Sequence, residues 1–224
     1  MLKSVYHTYR GGCMLLFSLE GQEVVFLGTA FVVHSRGYLV TVAHILYRYD
    51  NLMVAPCYTG SDFFPLSYEK VSPFPVKVAQ VHMSMDLALL RFKEDMRLQV
   101  PPHLIGRSEE APIGSSVACL GYGFGHYQLH NQLLQQAVIC SKVQSDNQTR
   151  LLLFDTMVHN GSRGAPLVNL YDNRVIGVVS GRFDPSEMAR DITREREYFD
   201  TNISCAVDMT HVIDLLADEG FKPE

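Results

Sequence analysis

The stretch Asn160-Gly161-Ser162-Arg163-Gly164-Ala165-Pro166-Leu167 places a run of small residues directly before an apolar segment, with an arginine at its centre. Pro166-Leu167-Val168-Asn169, a turn at Tyr171-Asp172-Asn173 and Val175-Ile176-Gly177-Val178-Val179-Ser180 then read as a hairpin. Two segments far upstream share this character. Gly28 to Val33, a turn at Ser35-Arg36-Gly37, and Tyr38 to His44 read as two apolar strands ending in a histidine. Met85-Asp86-Leu87-Ala88-Leu89-Leu90-Arg91-Phe92 opens a buried run with a single acid.

Further from these segments, short apolar runs cover 13–19, 23–33, 38–42, 52–55, 76–82, 87–92, 116–120, 136–142, 150–154, 166–170, 175–180 and 202–207. Glycine, proline and Asn/Asp punctuate them, which suits an all-β architecture. Pro101, Pro102 and Pro112 make 97–113 the connection between two barrels, because proline there discourages both helix and central strand. Helical periodicity is clear at the carboxy end: Asp208 or Thr210 can cap, His211, Val212, Leu215 and Leu216 share a face, and Gly220 can terminate.

The three segments, in the order histidine, acid, small-residue loop, resemble the trypsin/chymotrypsin superfamily, in particular its bacterial HtrA-type branch. The likeness runs from about Gly28 to Leu216. It implies two six-stranded antiparallel β-barrels with a C-terminal α-helix, divided as 1–105, carrying His44 and Asp86, and 106–224, carrying the loop. By the same resemblance His44 is the general base and Asp86 the acid that orients it.

Counting back from Pro166 through Ala165 and Gly164, the family's nucleophilic serine falls on Arg163. A guanidinium stays protonated and has no lone pair for attack. Pointed inward, it can pair with Asp86 or with an incoming carboxylate. Ser162, one place early, is the alternative nucleophile. The backbone N–H groups of Gly161 and Arg163 stand where the family builds its oxyanion hole. Met157 falls at the floor of the primary specificity pocket, and Ser180, Gly181 and Ser204 at its walls; an apolar floor implies apolar side chains in the ligand.

Bulk properties narrow the classes. The chain has 224 residues, 47% hydrophobic and 19% charged, which is globular composition. With a net charge of −5 and thinly spread Lys and Arg, no nucleic-acid footprint is expected. No apolar run reaches the roughly 20 residues of a membrane span, and Met14 to Leu19 is too short for a signal peptide core. Five cysteines in mostly apolar settings favour reduced thiols and a cytoplasmic location. Neither a cofactor nor a metal site is expected, since His44, Asp86 and His159 lack metal-ligand spacing. The charged stretch 182–200 reads as a solvated helical insertion or a protein-partner surface.

Three functional expectations follow. The first is a pseudoprotease that binds peptide or protein segments in a protease-like cleft. The second is an active serine endopeptidase, through Ser162 or with a native serine at position 163 replaced in this chain. The third is a regulatory scaffold using the 182–200 loop.

Overall fold

A computed structural model describes residues 1–21, 23–56, 63, 66, 71–185 and 201–222. The first barrel contains β1 (Cys13–Glu20), β2 (Glu23–His34), β3 (Tyr38–Thr41), β4 (Leu52–Ala55), β5 (Phe74–His82) and β6 (Leu87–Phe92), closed in the order β1-β2-β3-β6-β5-β4. The second contains β7 (Ser116–Gly121), β8 (Leu133–Gln144), β9 (Arg150–Phe154), β10 (Pro166–Asn169), β11 (Val175–Arg182) and β12 (Ser204–Asp208), closed as β10-β11-β12-β9-β8-β7. All neighbours in both barrels pair antiparallel. Each apolar run of the sequence corresponds to one strand, and β8 begins a little earlier than its run.

The runs are continuously apolar because many strands are buried on both faces. On β6, Ala88 and Leu90 enter the interior of the first barrel with Leu16, Leu39 and Val76. Leu87 and Leu89 point the other way, into a cluster shared with Leu120, Val168 and Val178 of the second barrel. This is the period-2 alternation of a strand with a core on each side. At about 1.5–3 kcal/mol for each large apolar side chain buried, the shared cluster locks the barrels against each other.

Polar ties add direction to that packing. The Cys13 thiol donates to the Leu120 carbonyl at 3.0 Å, and the Tyr122 hydroxyl to the Cys13 carbonyl at 3.1 Å. Gln132 Nε2 bonds the Arg10 and Cys13 carbonyls, each at 2.9 Å. No disulfide joins the described cysteines, and Cys57 lies outside the described residues. Burial pushes the Cys119 thiol up to about 12.

Among the described residues, two helices flank the barrels. The C-terminal one, α2, spans Thr210–Asp218 and buries His211, Val212, Leu215 and Leu216. Asp208 accepts from the Thr210 amide and hydroxyl, each at 2.8 Å, and Gly220 follows at φ +83°. An N-terminal helix, α1 (Leu2–Tyr9), had no counterpart in the sequence reading; Val5 and Tyr9 join the shared cluster and the Tyr9 hydroxyl reaches the Asn173 carbonyl. Of the charged stretch 182–200, residues 186–200 lie outside the described residues.

Candidate active site

His44 begins a short 3-10 turn (His44–Leu46) just after β3, and Asp86 follows another (Met83–Met85) just before β6. Strands β3 and β6 are hydrogen-bonded neighbours, with Thr41 opposite Ala88, so the ends carrying the two residues meet. Asp86 adopts a left-handed conformation, φ 55° and ψ 42°, which aspartate tolerates better than most side chains. Its main-chain carbonyl accepts from the Ala43 amide at 3.3 Å and its Oδ1 from the His44 amide at 3.0 Å.

The imidazole is held from the same side. His44 Nδ1 lies 2.8 Å from Asp86 Oδ1 and 2.9 Å from Oδ2. An ionised carboxylate only accepts, so Nδ1 carries the proton and Nε2 of the neutral ring is left as the base. Ser180 Oγ donates to Asp86 Oδ2 at 2.7 Å. Burial alone would raise the Asp86 carboxyl, but the His44 ring and amide and the Ser180 hydroxyl outweigh it and hold the group below its ordinary range.

The loop 160–165 is pinned across both barrels. Thr29 on β2 is the hub: its hydroxyl donates to the Gly161 carbonyl at 2.8 Å and accepts from the Tyr122 amide at 3.1 Å, while its amide donates to the Arg163 carbonyl at 2.8 Å. Gly164 sits at φ +84°, and a Cβ there would come within 2.0 Å of the Thr29 carbonyl oxygen. Glycine is required at that position on both counts.

Asn160–Ser162 forms a 3-10 turn, and every amide from Gly161 to Ala165 donates to a main-chain carbonyl. Gly161 N–H bonds the Gly123 carbonyl at 3.2 Å and Arg163 N–H the Asn160 carbonyl at 3.3 Å. The expectation that these two amides are open to an oxyanion therefore does not hold in this conformation. Arg163 N–H closes the turn's own i→i+3 bond and Gly161 N–H is taken by a carbonyl of another loop, so neither is left for a ligand.

Ser162 is 2% exposed, and no hydrogen bond joins it to His44 among the described residues. Its neighbour Arg163 instead reaches the space beside the dyad. That space is a cleft of about 860 Å³ between the barrels, lined by His44, Asp86, Arg163, Ser180 and Gly181 on one side and by the β8–β9 turn, including Ser145 and Asn147, on the other. A Cβ on Gly181 would lie 3.4 Å from Arg163 Nε. The guanidinium does not pair with Asp86, whose oxygens His44 and Ser180 already occupy.

The expected pocket residues separate. Ser180 and Gly181 line this cleft, whereas Met157 and Ser204 are outside its lining. Ser204 is fully buried and donates to the Thr156 carbonyl at 2.7 Å while accepting from the Val158 amide at 3.1 Å. His159 stacks on Phe124 at 4.3 Å and does not join His44 and Asp86 in the cleft lining. The Ser180 bond to Asp86 was missed in the sequence, where no local pattern separates a pocket wall from a partner of the acid.

Comparison with known proteins agrees with this geometry. Residues 28–178 match the family profile of the trypsin-like peptidase domain. The chain is 29% identical over 159 residues to Serine protease HTR4 of Rattus norvegicus, covering 67% of this chain and 28% of that protein. It is 26% identical over 202 residues to a probable periplasmic serine endoprotease DegP-like of Halomonas elongata, covering 87% of this chain and 36% of that one. The chain thus spans about a third or less of the length of these relatives. The solved structure of the HtrA-type protease AlgW with decapeptide superposes with a TM-score of 0.71 at 14% identity, over 97% of this chain and 67% of that one. With the paired barrels, the His44–Asp86 pair and the loop at Arg163 in place, this chain belongs to the trypsin-like peptidase family, as an HtrA-type serine protease homologue.

Proposed function

We propose that this protein is a pseudoprotease, which binds peptide or protein segments in the cleft between the barrels without cleaving them. The observation that carries the reading is Arg163: it stands at the nucleophile position and lines the cleft beside His44, Ser180 and Gly181. Buried Ser162 makes no bond to the base, and the loop amides are consumed within the chain. The cleft is large enough for several residues of extended chain, and the fold neighbour AlgW is solved with a decapeptide.

The intact His44–Asp86–Ser180 arrangement favours a second reading, an active endopeptidase using Ser162. One experiment separates them. The unmodified protein and Ser162→Ala are treated with a fluorophosphonate probe and with a quenched fluorescent peptide library. The pseudoprotease reading expects no labelling and no cleavage in either; labelling of the unmodified chain that vanishes in Ser162→Ala establishes the second reading instead.

A further inference from the structure

Arg163 is a residue of the cleft whose chemistry the inherited machinery does not explain. Its Nε is buried without a hydrogen-bond partner, and no carboxylate among the described residues lies within ion-pairing distance of its guanidinium. An unsatisfied N–H of a charged group is costly, and the half-buried Arg163 side chain lines the cleft, so a ligand that enters can engage the guanidinium. Its charge is felt nearby: burial, and after it the Arg163 cation, pull His126 below the ordinary imidazole range.

We propose that Arg163 is a carboxylate anchor, so that the cleft selects peptides presenting a carboxylate at this point, either a free C-terminus or an Asp or Glu side chain. The inference rests on the peptide-binding reading above. The guanidinium fork matches a carboxylate in two parallel hydrogen bonds, which a lysine or an amide cannot reproduce. Of the acids that line the cleft, Asp86 is fully engaged by His44 and Ser180, and no ion pair joins Asp146 or Asp184 to Arg163 among the described residues. Gly181, at φ +153° and without a side chain, leaves the guanidinium's flank open. The occupied amides at Gly161 and Arg163 offer no donor to a carbonyl oxygen, so the arginine side chain replaces the backbone as the polar contact.

The test uses the full chain, Arg163→Gln and Arg163→Lys, each immobilised and offered one randomised heptapeptide library in two forms, free acids and C-terminal amides. Retained peptides are identified by mass spectrometry, and circular dichroism verifies the fold of each variant. The unmodified chain should enrich free acids, or amides containing Asp or Glu, at least tenfold; the form enriched tells C-terminal from side-chain recognition. Arg163→Gln should abolish the preference and Arg163→Lys should keep a weakened one. Equal retention of acids and amides with no Asp or Glu enrichment overturns the carboxylate anchor and leaves peptide binding intact. Retention of no peptide by the unmodified chain overturns the peptide-binding reading, and the anchor with it.

Discussion

Arg163→Ser should restore reactivity at the loop, but only partly, and the structure gives the size of the shortfall. The base is in place, because Asp86 and Ser180 fix the His44 tautomer whatever stands at position 163. A positioned general base is worth about 10²–10⁴ in rate, so Arg163→Ser should react with a fluorophosphonate that much faster than Arg163→Ser with His44→Ala. The oxyanion donors are a separate term. Freeing them breaks the bonds from Gly161 N–H to Gly123, at 3.2 Å, and from Arg163 N–H to Asn160, at 3.3 Å. At ~0.5–1 kcal/mol each for long main-chain bonds, opening costs about 1–2 kcal/mol and leaves roughly 3–15% of molecules competent. Labelling should therefore run about 7–30-fold below that of a site with a standing oxyanion hole. Intact-mass time courses measure both ratios. If Arg163→Ser labels no faster than its His44→Ala partner, the dyad is not a working base and the reasoning from its geometry fails.

Three further perturbations test the supports of the site. Ser180→Ala removes a hydrogen bond to a carboxylate that is 25% exposed, so about 1.5 kcal/mol of stability should be lost at pH 7. The folded carboxyl lies below its ordinary 3.8, so this stabilisation is present above that value and fades as pH falls through the folded pKa; urea melts at pH 7 and pH 2.5 should show the gap closing, and an equal gap would show that the bond is not linked to the charge. Gly164→Ala puts a Cβ 2.0 Å from the Thr29 carbonyl oxygen at φ +84°, for about 3 kcal/mol and a fall in Tm of roughly 6–12 °C; a Tm within 2 °C of the parent, about 0.5–1 kcal/mol, contradicts the close approach. His211 accepts from the Arg150 amide at 3.1 Å, and burial foremost, against Asp208 and Asp214, holds it below its ordinary 6.5. The unfolded chain then takes up its proton first, so stability drops as pH falls from 6.5 to the folded pKa and levels below; Tm profiles of the parent and His211→Gln should converge toward acid, and parallel profiles count against a neutral buried ring.

What the sequence revealed and what it hid divide along locality. Strands were legible because burial on both faces leaves uninterrupted apolar runs, and β6 shows both faces at work. Helix α1 left a signal too: Leu2, Val5, Tyr6 and Tyr9 follow the i, i+3, i+4, i+7 stripe, but eight residues without a side-chain cap are weak evidence alone. His44 and Asp86 were readable from their strand-end settings. The state of the oxyanion amides was not, since one acceptor is the Gly123 carbonyl, 38 residues upstream of Gly161 and on another loop. Nor could the chain order reveal that Arg163 lies against Gly181. A long cation at the nucleophile position needs room on the facing strand, and a glycine supplies it only after β11 has been folded beside the loop. A Cβ at position 181 would already lie 3.4 Å from Arg163 Nε, and the branched side chain of valine would reach further over the guanidinium, so Gly181→Val should weaken acid-peptide retention even with Arg163 unchanged.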